Sequence, residues 1–231
     1  MSLPKHTAEQ PPPGQPGGRL LVVVAVAAEA EAVLRGAPTD RVTVVTAGVG
    51  PAAAATATAL ALAAERHPLV VSAGIAGGFA PRAPIGAVVA ADAIIAADLG
   101  AQTPDGFQSV AELGFGTVRH TPPPTALALL AQATGAVVGP VLTVSTVTGS
   151  AARAEELTHR HPGAVAEAME GFGVAEAGAR CGVPVLELRT VSNAVGPRDR
   201  AAWRIGEALA ALERAFAALP YDRLTALHPL D

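Results

Sequence analysis

The chain has 231 residues, enough for one domain with a sizeable core; half are hydrophobic and only 3% aromatic, so Ala, Val and Leu must fill that core. Its net charge is −4, the positive charge is nearly all arginine, and no basic run is interleaved with aromatics, which argues against a nucleic-acid partner. The one cysteine, Cys181, rules out a disulfide framework within the chain, fits a cytoplasmic location, and reads as a small buried hydrophobe.

Residues 1–18 are Pro/Gly-rich and polar and read as a disordered leader. The run Leu-Leu-Val-Val-Val-Ala-Val-Ala-Ala after Arg19 reads as a first strand buried on both faces, with a helix starting near Glu29. A second strand covers residues 41–48, and an Ala-rich helix follows, with Pro51 suited to its first turn. A third strand covers residues 68–78 and runs into a glycine turn. Residues 86–100 are strand-like with a break, and residues 101–125 read mostly as loop. Residues 126–135 suggest a helix, 136–147 one or two strands, and 151–161 a charged helix. The segment from Ala164 begins extended and becomes a helix ending at Gly182, the last long strand covers residues 183–193, and an amphipathic helix covers residues 199–219.

Strands alternating with helices predict an α/β fold; several consecutive strands without a helix between them predict a mixed central sheet, partly barrel-like, flanked by helices. No linker divides residues 19–231, which are read as one domain. No segment reaches the ~20 apolar residues that a membrane-spanning helix needs, so no membrane partner is expected.

Four stretches could carry chemistry. Gly48-x-Gly50-x-x-Ala53 fits a dinucleotide fingerprint between strand and helix, but no acid about 20 residues on is placed to grip a ribose, and a tight turn with close helix–sheet packing is the better reading. The loop Gly74-Ile75-Ala76-Gly77-Gly78 could bring backbone N–H groups to a ligand; it lacks a P-loop's Lys-Ser/Thr ending, and apolar Ile75 speaks against an anion. Glu29 is either a helix-start acid complementing the dipole or a base able to orient water. Met169 and Glu170 fall where an extended segment becomes a helix; a carboxylate there could accept from two sugar hydroxyls, and the methionine is either core or a wall against the sugar. Glu167 and Glu176 read as surface charges. The six histidines show no metal-ligand spacing, His159 and His161 read as solvated, and no metal or organic cofactor is expected.

Five blocks in order, residues 25–29, 47–54, 72–78, 168–178 and 187–193, resemble the nucleoside phosphorylase and nucleosidase superfamily over residues 20–212. The resemblance implies a small-molecule nucleoside substrate and a homo-oligomer. Glu29 stands where the nucleosidases, including those of methylthioadenosine and adenosylhomocysteine, carry a water-positioning glutamate. Ile75 replaces the small hydroxyl residue of the glycine loop, beside Ala76 and Gly77, and both features favour hydrolysis over phosphorolysis. By the same resemblance Glu170 accepts from the ribose hydroxyls and Met169 packs on the sugar. Val147 takes the place of an aromatic over the base, with Thr148 keeping backbone contacts to the purine.

Adenine-releasing members end the last strand in Ser-Asp, whereas this chain has Ser192-Asn193. Adenine asks for a donor at N7 and an acceptor for its amino group; a 6-oxopurine presents two acceptors, N7 and O6, which an amide NH₂ can serve. Asn193 therefore suggests hypoxanthine as the leaving base, with Ser192 steadying it. The run from Ser192 to Leu212 is similar to that of the futalosine hydrolase family. That likeness implies cleavage of futalosine to hypoxanthine and dehypoxanthine futalosine in menaquinone biosynthesis. The 5′ tail of that substrate, a carboxylated benzoyl group, would need an apolar wall, with Phe107, Phe115 and Phe172 as candidates, and a cation, with Arg82 or Arg119. Open alternatives are another purine nucleosidase, acting on methylthioadenosine, adenosylhomocysteine or aminodeoxyfutalosine, a purine nucleoside phosphorylase, a nucleotide-binding oxidoreductase and a non-catalytic nucleoside-binding module.

Overall fold

Strand β1 (Leu20–Val24) is buried along its whole length, as its apolar run requires. The computed structural model to which it belongs describes residues 18–227, so the leader lies outside the described residues except for Gly18. β1 is shorter than its apolar run, because helix α1 (Ala27–Gly36) begins inside it. The reason is local. Glu29, in the first turn of α1, folds back and accepts from the N–H groups of Ala25 and Val26, capping helix donors that otherwise lack partners.

After β2 (Val42–Thr46), helix α2 (Pro51–Ala64) opens on Pro51 as expected. Strand β3 (Val70–Gly78) keeps its glycines inside the strand; the expected glycine turn is instead a strand end without side chains. Strand β4 (Val88–Ala96) is continuous, with a register shift between Ala91 and Ala93. The stretch read as loop contains a hairpin, β5 (Gly100–Thr103) with β6 (Gly106–Ser109), and a short β7 (Arg119–His120). Polar side chains and glycine hid the hairpin, because neither face of it is buried deeply enough to demand alternating hydrophobics.

Helix α3 (Pro124–Thr134), strand β8 (Val137–Thr143), helix α4 (Ala151–Arg160), strand β9 (Ala166–Ala168), helix α5 (Gly171–Cys181) and strand β10 (Val185–Ala194) follow. Gly182 caps α5 in the left-handed conformation, φ 70°. Cys181, at the end of that helix, is exposed, contrary to its reading as core. Helix α6 (Ile205–Ala218) starts later than its amphipathic pattern suggests; a 3₁₀ turn over Arg200–Ala202 precedes it. Helix α7 (Tyr221–Thr225) is the last described element.

The sheet is mixed and partly closed. β3 pairs with both β10 and β9, β10 with β4, β4 with β8, and β8 with β9, so five strands form a ring. β1 and β2 continue the sheet from β3 as parallel strands. Helices pack outside. The Ala- and Gly-rich composition lets them approach closely: a Cβ on Gly173 of α5 would overlap the Pro51 carbonyl oxygen of α2. Among the described residues no helix is long and apolar enough to cross a membrane.

Candidate active site

The carboxyl ends of β1, β3 and β10 lie side by side, and β9 runs antiparallel along the last two residues of β3. This topology delivers Glu29, Ile75, Ala76, Gly77, Glu167, Met169, Glu170, Ser192 and Asn193 to one end of the ring. Ligands of open α/β sheets bind at such strand ends.

A buried charge cluster joins these strand ends. Glu29 is buried; its Oε1 accepts from the Ile75 N–H at 2.9 Å and its Oε2 from the Ala25 N–H at 2.9 Å. Gly74 makes room for it, since a Cβ there would overlap Glu29 Oε1 and stand 3.0 Å from Arg189 Nη1. Glu170 is also buried: Oε1 accepts from the Gly50 N–H at 3.3 Å and Oε2 from Arg189 Nη1 at 3.2 Å. Gly48 and Gly50 have φ of 92° and 100°, so the glycine pair makes the tight turn that aims this N–H.

Arg189 ties the cluster together. It is 1% exposed, and donates from Nε to Glu187 at 2.9 Å, from Nη1 to Glu170 and from Nη2 to Ser72 Oγ at 3.1 Å. Burial alone would lower its pKa, but Glu187, Glu170 and Glu29 hold it above the ordinary arginine value. Glu187 is pushed up by burial despite its arginine partner, and its Oε2 lacks a hydrogen-bond partner. Gly171 admits it, because a Cβ there would overlap both Glu187 oxygens. Sequence reasoning passed over Ser72, Glu187 and Arg189. The signal was present: two opposite charges at i and i+2 in an otherwise apolar strand point to one buried face and must pair there.

The Ser192–Asn193 tip borders an open cleft. Ser192 is buried and its hydroxyl donates to Asn193 Oδ1 at 2.8 Å. Asn193 Nδ2 donates one hydrogen to the Ala194 carbonyl at 3.0 Å, which leaves its second N–H for a ligand. Gly77 pairs with Asn193 across the sheet, and a Cβ on it would stand 3.4 Å from Asn193 Nδ2 and 2.9 Å from Val195 Cγ2. Val147, Thr148, Arg198 and Trp203 line the same cleft.

Glu167 lines it too, and is buried on β9, which corrects its reading as a surface charge. It accepts from the Thr148 N–H at 2.8 Å and from the Thr148 hydroxyl. The Thr148 N–H expected to meet the purine is thus already engaged. Burial raises the Glu167 pKa, and the two Thr148 donors oppose that rise.

The chain matches the Phosphorylase superfamily over residues 22–224. A futalosine hydrolase of Streptomyces coelicolor is 60% identical, over 84% of this chain and 91% of that protein. The chain belongs to the futalosine hydrolase family. A second member, from Acidothermus cellulolyticus, is 49% identical over 86% of this chain and 89% of its own length. The fold is that of nucleosidases with little sequence likeness. A methylthioadenosine/adenosylhomocysteine nucleosidase from Neisseria meningitidis superposes with a TM-score of 0.73 at 18% identity, over 91% of this chain and all of that one. An S-adenosylhomocysteine nucleosidase from Streptococcus pyogenes reaches 0.76 at 17% identity, over 90% of this chain and 99% of that one.

Within this chain the residues expected to meet the 5′ tail do not line the cleft. Phe115 is 82% exposed, Phe107 lies under the Arg160 guanidinium 4.3 Å from its ring centre, and Phe172 packs on His120. Arg82 and Arg119 are exposed and do not line the cleft. The chain supplies Trp203, the single tryptophan, with Arg198 5.6 Å from its ring centre. Both stand beyond the strand tip, on a segment whose charge and turn residues hid its place in the cleft. His161, read as solvated, is half-buried, and its pKa is pulled down to about 4, first by burial and then by the nearby Arg160, Arg153 and Arg119. Among the described residues no three His, Cys, Asp or Glu side chains are grouped to hold a metal.

Proposed function

We propose that the protein hydrolyses the N-glycosidic bond of futalosine, releasing hypoxanthine and dehypoxanthine futalosine, and that it serves menaquinone formation by that route in the cytoplasm. The observation that carries the reading is the Ser192–Asn193 pair: the hydroxyl donates to Asn193 Oδ1 and fixes the amide's orientation, and one of its two N–H groups stays free for the cleft. A 6-oxopurine offers N7 and O6, two acceptors, to such a donor. The identity to futalosine hydrolases supports the same substrate. Trp203 and Arg198 supply an aromatic face and a cation of the kind that a carboxylated benzoyl tail would use.

In this mechanism the bond from C1′ to the purine nitrogen breaks first, and its electron pair leaves with the base. Asn193 stabilises the charge developing on the purine by a preorganised hydrogen bond. Glu170, held by Arg189 and Gly50, accepts from the ribose hydroxyls, and Met169 packs on the sugar. Ile75, Ala76 and Gly77 form the backbone wall beside them, and Val147 and Thr148 border the base. Glu29 orients water at the opposite face of C1′ and takes one of its protons as hydroxide adds to the sugar; the purine gains the balancing proton. The chain works as a homo-oligomer in this reading.

One assay tests it: futalosine, inosine and methylthioadenosine are incubated separately without phosphate and the released base is followed. Hypoxanthine should appear from futalosine at a rate that added phosphate does not change. Glu29→Gln should lower kcat by at least 100-fold with KM little altered. Release of adenine in preference, or dependence on phosphate, overturns the reading.

A further inference from the structure

Two polar side chains meet the cleft from opposite sides of one glycine. On β3, Gly77 pairs with Asn193 of β10 on one edge and with Glu167 of β9 on the other. Two strand steps separate the pair, about 10 Å between backbones, with only a glycine between them. Both side chains line the same cleft.

The two ends have opposite hydrogen-bonding character. Asn193 presents an N–H, because only one of its two amide hydrogens is taken, by the Ala194 carbonyl, while the Ser192 hydroxyl donating to its oxygen fixes the amide's orientation. Glu167 presents a carboxylate, because Thr148 donates to it twice, through its N–H and its hydroxyl, one to each oxygen. A carboxylate has about four lone-pair sites, so each oxygen keeps one after these bonds. A base bridging the pair must therefore offer an acceptor on one side and a donor on the other. Hypoxanthine does this: N7 and O6 accept, and N1 carries a hydrogen. Adenine matches less well: its 6-amino group can donate, but its N1 is an acceptor and would turn a lone pair towards the carboxylate.

We propose that Glu167, positioned by Thr148, is a specificity residue that accepts the N1–H of a 6-oxopurine and repels adenine. The inference rests on the purine-hydrolase reading above and adds a second reader to Asn193. It also explains why the Thr148 N–H, a donor suited to adenine N1, is occupied by the protein's own side chain.

The test uses free bases as inhibitors of futalosine cleavage by the full-length protein. Hypoxanthine should inhibit the unaltered protein at least about 30-fold more tightly than 1-methylhypoxanthine or adenine, the scale of one charge-assisted hydrogen bond. Glu167→Ala should weaken hypoxanthine by about 30-fold and strengthen adenine, because the Thr148 N–H is released. A structural role alone would weaken both bases alike. Thr148→Val keeps the carboxylate and one of its two donors, so it should retain the preference for hypoxanthine. If Glu167→Ala does not fold, the comparison of hypoxanthine with 1-methylhypoxanthine on the unaltered protein still decides. Hypoxanthine binding well, with a hypoxanthine-to-adenine ratio unchanged by Glu167→Ala or with equal inhibition by the 1-methyl base, overturns this inference alone. Tight adenine binding without hypoxanthine binding overturns both it and the proposed substrate.

Discussion

Replacing Arg189 by methionine should be among the most damaging single changes in this protein. The guanidinium is 1% exposed and serves Glu187, Glu170 and Ser72. Methionine fills most of the space but leaves Glu187 and Glu170 buried without their cation. Breaking a buried ion pair by removing one partner costs about 3–5 kcal/mol. For a chain of this size each kcal/mol moves Tm by roughly 2–4 °C, so a fall of roughly 6–20 °C is expected.

The pH dependence follows from the carboxylates. Burial already raises Glu187 in the native state, so the folded form binds more protons than the unfolded form between the two pKa values. That group's contribution falls as pH rises through this window. Without Arg189 the window widens upward, and the variant should lose less stability at pH 5 than at pH 8. The check is a pair of thermal melts at those two values. Adding Glu187→Leu to Arg189→Met should recover part of the loss, because a buried charge disappears with its partner. The reasoning is refuted if Arg189→Met melts within about 2 °C of the unaltered protein at both pH values, or if Glu187→Leu adds its own full cost to the double variant.

Ser192→Ala frees the Asn193 oxygen, so the amide can turn its acceptor to the cleft; kcat/KM for futalosine should fall about tenfold, the worth of one hydrogen bond, with little change in Tm. Gly77→Val places branched methyls against Asn193 Nδ2 and Val195, and should cost at least 100-fold in kcat/KM, whereas Gly206→Ala, with open space at its Cβ, should leave the rate unchanged. His161 has a folded pKa pulled down to about 4 from an ordinary 6.5. The unfolded chain therefore binds more protons in that interval, and stability should decline as pH falls from 6.5 to about 4. His161→Gln should flatten the fall in Tm over this interval; an unchanged slope would remove the histidine as its cause.

Much of the architecture was legible because it is periodic. Apolar β-branched runs marked β1, β3 and β10, and Pro51 and Gly182 marked the start of α2 and the end of α5. The hairpin over residues 100–109 was missed because half-exposed polar strands carry little period-2 signal. Of the candidate site, Glu29, Glu170, Ser192 and Asn193 stood out as polar groups at the ends of apolar runs. Glu167 did not, because a single glutamate near a helix start looks the same whether it faces water or a cleft.

What the sequence determined by itself was therefore local: element type, the small-residue core, and a polar strand tip that ends in an amide instead of an acid. Only the tertiary structure decided which of those groups meet. Gly77 lies between Asn193 and Glu167 because β3 is hydrogen-bonded on both edges, to β10 and to β9, in a ring that joins residues far apart in the chain. Arg189 gathers Glu187, Glu170 and Ser72 for the same reason. Backbone pairing is nearly blind to side-chain identity, so register across strands is set by packing the whole sheet, and no single stretch of sequence encodes it.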